Sequence, residues 1–387
     1  MTTSAPIRTL RVAGLSSIAN LTLDLSSDVT VLVGPNGAGK SNVIAALELL
    51  GRIVDGQLQE HVLRAGGFAR LLHRSLVAAD DADHVAVEVW SRTDGSGLAN
   101  GYRAELRTAS GDAPYLDEKV FFHDHRHPQP YDEHLGVSRE SRLRAIAEGD
   151  RKASGIARHV LGLVTGCRVF HFHDTSADAP VKRLGDEADN ITLAPDARNI
   201  AALLHRLSTE APSTYRRIVR TVQTVAPFFD DFVLRPENGR LRLRWREKGM
   251  DAVFSADELS DGTLRFVCLA TLLLQPERPG TVVLDEPELG LHPFAIHQLA
   301  ALIRSAAAKD RGIVLATQSV TLLSQFDVEE IVVVSRSTAG TRVERPDADG
   351  LRAWLEDYSL GDLWEKNLLG GRPRPDVVAP PDEAVTG

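Results

Sequence analysis

Val29-Thr30-Val31-Leu32-Val33-Gly34-Pro35-Asn36-Gly37-Ala38-Gly39-Lys40-Ser41-Asn42 is the stretch that decides the fold. Its first five residues are β-branched or apolar, as in a strand buried on both faces. The next eight, Gly34 to Ser41, keep the spacing G-x-x-x-x-G-K-[ST]. Beyond them Val43, Ile44, Leu47 and Leu50 recur at helical spacing. The order is therefore strand, glycine loop, helix. The glycines permit positive φ and let backbone N–H groups wrap a phosphate. The helix aims the positive end of its dipole at the same anion. Lys40 is expected to reach the β- and γ-phosphates of ATP, and Ser41 to ligate Mg2+. Gly34, Pro35, Asn36, Gly37, Ala38, Gly39 and Asn42 complete the candidate nucleotide-binding stretch.

Working outward, Leu10 to Val12 and Leu21 to Leu25 alternate apolar and polar, as half-buried strands do. Val85 to Trp90 and Gly101 to Leu106 read as antiparallel strands about Asp94-Gly95-Ser96-Gly97. Residues 121–135 are rich in His, Pro and Asp without periodicity. Ser138 to Val164 reads as helical, Val169 to Phe172 as a strand, and residues 175–198 as loop. Helices follow at Ile200 to Leu207 and Tyr215 to Val225. Phe232 to Leu234 and Leu241 to Trp245 then read as a strand pair about Asn238-Gly239.

The last third alternates buried strands with helices, which argues for a largely parallel sheet. Gly262 to Leu274 is an apolar helix stopped by Pro276. Val282-Val283-Leu284-Asp285-Glu286-Pro287 is a buried strand with two carboxylates at its C-terminal end. Ligands of open α/β sheets bind at that edge. Asp285 is expected to hold Mg2+, directly or through water, and Glu286 to orient and polarise the attacking water. Pro293 to Ile303 is a helix, and Ile313 to Ala316 and Ile331 to Val334 are further buried strands.

Leu259-Ser260-Asp261-Gly262-Thr263 resembles the signature of ABC-class P-loop ATPases, which begins Leu-Ser-Gly-Gly; Asp261 stands for the first glycine of that pair. The resemblance implies that Ser260, Asp261 and Gly262 touch the γ-phosphate bound by an opposite protomer. Asp285-Glu286-Pro287-Glu288-Leu289-Gly290-Leu291-His292-Pro293 is similar to the RecF, OLD and SMC-like branch, as are Gly34-Pro35-Asn36-Gly37 and Ser41-Asn42. Ser260 to Phe266, Phe170 to Ser176 and Leu360 to Pro373 resemble a bacterial group of OLD/RecF-like AAA ATPases. The resemblance spans most of residues 7–373. It implies an ABC-ATPase head: a mixed, largely parallel sheet flanked by helices, with an antiparallel β lobe and a helical insertion. The implied layout is one domain over residues 1–371. Its parts are an N-terminal lobe at 1–120, a partly helical insertion at 121–200 and a C-terminal lobe at 201–371.

Two heads of this kind close around two ATP–Mg2+, so an ATP-dependent homodimer is the expected partner arrangement. The output would go to a protein partner encoded nearby or to nucleic acid. Some members of this broad class act in defence against phage, beside a nuclease or toxin partner. The chain departs from the pattern in three places. Gln318 of Thr317-Gln318-Ser319 stands where many ABC ATPases carry a histidine; glutamine cannot be protonated, so slow turnover is expected. His292 replaces an aspartate of the loop after the carboxylates. The family's Mg2+-sensing glutamine has no clear counterpart; Gln57 and Gln59 are candidates by position.

Other features weigh little. The net charge of -9 gives no global basic footprint. Arg139, Arg142, Arg144, Arg151, Lys152 and Arg158 share their stretch with Glu140, Glu148 and Asp150 and read as a solvated helical face. His123, His125 and His127, and His171 with His173, read as polar histidines, because no Cys or Glu completes a metal set around them. Cys167 and Cys268 are far apart, match no metal spacing and suit a reducing cytoplasm. Met1 to Pro6 lacks the features of a signal peptide, and no apolar run is long enough to span a bilayer. The polar, Pro-rich residues 372–387 are expected to be disordered. Asp347 and Asp349 form a lone acidic pair, and no nuclease activity is expected. Two competing readings remain: a nucleotide-gated scaffold with negligible turnover, and the motor subunit of a membrane transporter.

Overall fold

A computed structural model describes residues 5–75, 81–93, 95–108, 113–150, 154–307 and 311–370. The chain opens with β1 (Ile7–Leu15) and β2 (Ile18–Asp24), then β3 (Val29–Val33), α1 (Lys40–Val54) and α2 (Leu58–Arg64). A meander follows: β4 (His84–Ser91), β5 (Leu98–Arg107), β6 (Tyr115–Asp124) and β7 (Tyr131–Ser138). Helices α3 (Leu143–Ala147) and α4 (Ser154–Thr165) lead into β8 (Cys167–Phe170) and the short β9 (Gly185–Asp186). Next come α5 (Ile200–Glu210), α6 (Pro212–Val225) and the short strands β10 (Phe229–Phe232), β11 (Arg240–Leu241), β12 (Arg244–Glu247) and β13 (Val253–Ser255). The last third runs α7 (Asp261–Leu274), β14 (Thr281–Asp285), α8 (Pro293–Ala306), β15 (Gly312–Thr317), α9 (Val320–Leu323), β16 (Ile331–Ser337), β17 (Gly340–Glu344), α10 (Ala348–Leu355) and α11 (Leu360–Glu365).

Two six-stranded sheets carry the architecture. One is antiparallel in the order β2-β1-β4-β5-β6-β7. The other has the order β17-β16-β3-β15-β14-β8, parallel throughout except for β17. Side chains alternate across a strand, so β3 feeds two cores. Val29, Val31 and Val33 face a core built with α5, α6, α7 and α8. Leu32 faces a second core with α1, α4 and the antiparallel sheet. Val43, Ile44, Leu47 and Leu50 of α1 are all buried in that second core. The parallel sheet is thus the middle layer, with its strand ends free to carry chemistry.

Several expectations needed correction. Residues 121–135, which lack periodicity in the sequence, fall partly in strands: β6 runs to Asp124 and β7 begins at Tyr131. On β6 the inward positions are Leu116, Glu118 and Val120, and the central glutamate hides the apolar alternation. Glu118 is fully buried because it is satisfied: Tyr102 Oη and Ser141 Oγ donate to Oε1, each at 2.6 Å, and the Arg142 amide donates to Oε2 at 2.7 Å. The segment boundary expected after residue 120 therefore falls inside a strand. The single helical stretch read over Ser138 to Val164 is two helices with Ser138 at the end of β7. Ala157, Val160, Leu163 and Val164 of α4 belong to the second core. Strand β8 ends at Phe170, short of Phe172. Asn238 and Gly239, with φ of 53° and 73°, make the expected tight turn. Leu241, however, pairs with β9, and the strand partner of β10 starts at Arg244. Asp94, Arg151, Lys152 and the 372–387 tail lie outside the described residues.

Candidate nucleotide-binding site

The register of the parallel sheet brings four strand ends together. Ala316 of β15 lies opposite Asp285 of β14 on one side and Leu32 of β3 on the other. Leu284 lies opposite Phe170 of β8. Beyond these pairs the chain leaves the sheet as Gly34 and the glycine loop, Gln318, Asp285-Glu286 and His171. Residues from distant parts of the sequence meet at one edge because parallel strands all end there.

The loop from Gly34 to Gly39 is held in a shape that a side chain would spoil. Gly37 and Gly39 have φ of 78° and 108°. A Cβ at Gly39 would stand 2.1 Å from Thr341 Oγ1, and one at Gly34 would stand 2.3 Å from the Val334 carbonyl oxygen. At Gly37 a Cβ would meet nothing within 4 Å, so its side of the loop is open. Lys40 is 6% exposed, and its ammonium donates to the carbonyls of Gly34 at 2.6 Å and Pro35 at 3.2 Å. Burial pushes Lys40 below its ordinary pKa, against the pull of Glu286, Asp285 and Glu288. A buried ammonium over an open glycine loop at a helix N-terminus fits a bound anion. Ser41 is exposed on the first turn of α1. Asn42, expected at the nucleotide, donates its amide to Ser17 Oγ at 2.5 Å. Ser17 in turn bonds Thr341 Oγ1 at 2.6 Å. This chain of contacts ties the loop to the β1–β2 turn and to β17.

Asp285 and Glu286 emerge half-buried at the end of β14. Burial and the neighbouring Glu286 charge raise the Asp285 carboxyl above its usual range. Glu286 adopts φ of 39°, uncommon for a residue with a side chain. Gln318 Nε2 donates to Glu286 Oε1, so the two residues meet at this edge. Glu288, which no motif spacing marks, joins the same edge. Thr317 Oγ1 donates to its Oε1, its Oε2 is buried without a partner, and burial raises its carboxyl. Three crowded carboxylates beside Lys40 fit a divalent cation, which would offset their mutual repulsion.

Ser260 caps α7, its hydroxyl accepting from the Thr263 amide at 3.2 Å. Ser260 and Asp261 are exposed. A Cβ on Gly262 would stand 2.5 Å from the Gly290 carbonyl oxygen, so the helix start lies hard against the turn after the carboxylates. Arg265, one turn on, donates to the carbonyls of Phe172 at 3.2 Å, His173 at 2.8 Å and Leu289 at 2.7 Å. It clasps the end of β8, the start of α7 and the turn after Glu286 together. His292 is exposed and caps α8, its Nδ1 accepting from the Phe294 amide at 3.3 Å.

No Cys or Glu completes a metal set around His171 and His173, as the sequence reads, but a carboxylate from a distant segment lies beside them. Asp285 joins them in three dimensions, with one ligand atom from each residue within 4.8 Å of the others. No sequence spacing could show this, because 112 positions separate His173 from Asp285. The other histidine group stays local: His123 Nε2 contacts the His127 carbonyl at 3.0 Å, and His125 Nε2 contacts Thr93 Oγ1 at 3.0 Å. Gln57 accepts from Arg52, and Gln59 donates to the Arg139 and Pro114 carbonyls, so both are spent on α2 and its neighbours. Arg139 lies over the Tyr115 ring at 4.4 Å.

A family model described as "AAA domain, putative AbiEii toxin, Type IV TA system" matches residues 29–91 and 100–324. The chain belongs to this AAA family. The match runs from β3 through the glycine loop, Asp285-Glu286 and Gln318. No curated protein matches the chain. Among solved structures, the AAA chain is similar to an SMC head bound to the C-winged helix domain of ScpA: 17% identity, 90% of this chain and 99% of that one covered, TM-score 0.58. It is also similar to the Smc head domain with an extended coiled coil bound to the C-terminal domain of ScpA from Pyrococcus furiosus, at 14% identity, 91% and 98% coverage and TM-score 0.55. A Smc head domain with a coiled coil and joint from Pyrococcus yayanosii matches at 13% identity, 91% and 99% coverage and TM-score 0.54. At such identities the likeness is one of fold. Family and fold together bear out the resemblance to ABC-class, SMC-like P-loop ATPases. No helix among the described residues is long and apolar enough to cross a membrane.

Proposed function

We propose that this AAA protein binds and slowly hydrolyses ATP with a divalent cation, and that two copies close around two nucleotides to drive or gate a partner. The observation that carries the reading is the meeting of Lys40, Asp285-Glu286 and Gln318 at adjacent parallel strand ends. Backbone amides of Gly34 to Gly39 and the α1 N-terminus receive the phosphates, and Lys40 turns from the Gly34 and Pro35 carbonyls to the β- and γ-oxygens. Ser41 and Asp285 hold the cation, which supplies charge neutralisation of the phosphates when bound. Glu286 takes the proton of the attacking water, and Gln318 fixes the Glu286 carboxylate by its hydrogen bond. Ser260, Asp261 and Gly262 lie exposed or half-exposed at a helix start, available to a second copy's γ-phosphate.

The experiment has two arms. Phosphate release by the wild type, abolished in Lys40→Ala, is the expected result. Glu286→Gln is expected to trap ATP and elute as a dimer on a sizing column; a variant that stays monomeric with ATP removes the dimer from the proposal. A second reading, a nucleotide-gated scaffold, is favoured by the amide donor already engaging Glu286. ATP binding without phosphate release in the wild type would select it. The family description names a putative toxin of a type IV TA system, and a similar SMC head is bound to ScpA, which supports a partner protein; a setting in defence against phage is part of the proposal. Loss of protection in cells carrying Lys40→Ala would test that role.

A further inference from the structure

The segment just after β8 brings two imidazoles to the carboxylate edge. His171, His173 and Asp285 are each half-buried, and their ligand atoms lie within 4.8 Å of one another. Parallel pairing of β8 with β14 sets them on neighbouring strand ends, and the i, i+2 spacing of the histidines suits ligands from one side of an extended segment. That segment is anchored: Arg265 grips the Phe172 and His173 carbonyls from α7. His171 also has a carboxylate behind it, with Nε2 3.7 Å from Glu48 Oε2 of α1. At that distance the carboxylate attracts the ring without a direct hydrogen bond and leaves the other nitrogen for a metal, a looser form of the support given to many metal-ligating histidines.

Two imidazoles and one carboxylate leave open positions on a cation for phosphate oxygens and water. Mg2+ favours an all-oxygen shell, whereas imidazole ligands favour first-row transition metals. We propose that His171 and His173 join Asp285 in a mixed imidazole–carboxylate site, and that this site takes a divalent transition metal in preference to Mg2+. The inference rests on the nucleotide reading only in that Asp285 serves both.

The test uses Mn2+ and the full chain, first without nucleotide and then with a non-hydrolysable ATP analogue. Pulsed electron paramagnetic resonance is expected to show imidazole nitrogen coupling on bound Mn2+ in both states. The double variant His171→Gln/His173→Gln is expected to lose that coupling and to bind Mn2+ at least about tenfold more weakly, with Mg2+ affinity changing less than about twofold. Mn2+ bound without nitrogen coupling, or equally well by wild type and double variant, overturns the proposal in favour of a metal-free histidine–carboxylate cluster. Should the double variant fail to fold by circular dichroism, His173→Gln alone carries the comparison, with one of two nitrogen couplings lost. Binding of a fluorescent ATP analogue, compared with Lys40→Ala, is read in parallel. Its failure would refute the nucleotide reading while the nucleotide-free spectra still decide the histidine site.

Discussion

Glu118 shows how one residue can conceal a strand and still hold it. Three donors converge on its fully buried carboxylate, and burial pushes its partner Tyr102 well above the ordinary phenol pKa. Glu118→Ala leaves those donors without an acceptor and is expected to lower unfolding free energy by about 3 kcal/mol in denaturant titration. Tyr102→Phe removes one donor only and should cost about 1 kcal/mol. The two cysteines make a second residue-scale prediction. Burial raises each thiol to about 12. In the native protein neither should react with a thiol reagent at pH 8, and both should react once it is unfolded. The sign of the pH effect follows from the folded value lying above the ordinary 9.0. The stabilising contribution is whole below pH 9 and is lost as pH rises from 9 toward 12, so the unfolding midpoint should fall across that range.

At the scale of elements, the glycine loop and the Arg265 clasp are the parts that tolerate least. Gly39→Ala combines positive φ with a Cβ on top of Thr341 and is expected to cost about 2 kcal/mol and most of the nucleotide affinity, read by thermal unfolding and by titration with ATP. Arg265→Ala should raise amide hydrogen exchange at residues 171–174 and 287–291 together, since one guanidinium holds both. Protection lost in only one of the two segments would show that they are independent. Elements with strong local signals were legible in the sequence: β3, α1, α7, β14, β15 and β16 all appear where their apolar runs lie. Elements stabilised by distant partners were not. The edge strand β7 buries only Leu135, and β6 carries its buried carboxylate at the position where an apolar residue would announce a strand.

For the whole molecule, the parallel sheet contributes one face to each of two cores. Neither core is complete without it, so denaturation is expected as one transition, with circular dichroism and tryptophan fluorescence midpoints coinciding. Separate midpoints would mean that the antiparallel sheet unfolds by itself. The same sheet explains which site residues could be read in advance. Lys40, Asp285 and Glu286 sit in short motifs whose spacing is local. The placement of Glu288, Arg265, His171 and His173 at this edge depends on strand order, which no spacing encodes. Glu286 sits in an uncommon backbone conformation at this edge. Its φ of 39° is one that glycine adopts freely and glutamate only at a cost. Glu286→Gly is therefore expected to unfold at the wild-type temperature or above it, though it removes the proposed base. A designer asked only for the sturdiest sequence on this backbone would write glycine at 286, and under the proposed function the glutamate there is durability yielded to chemistry.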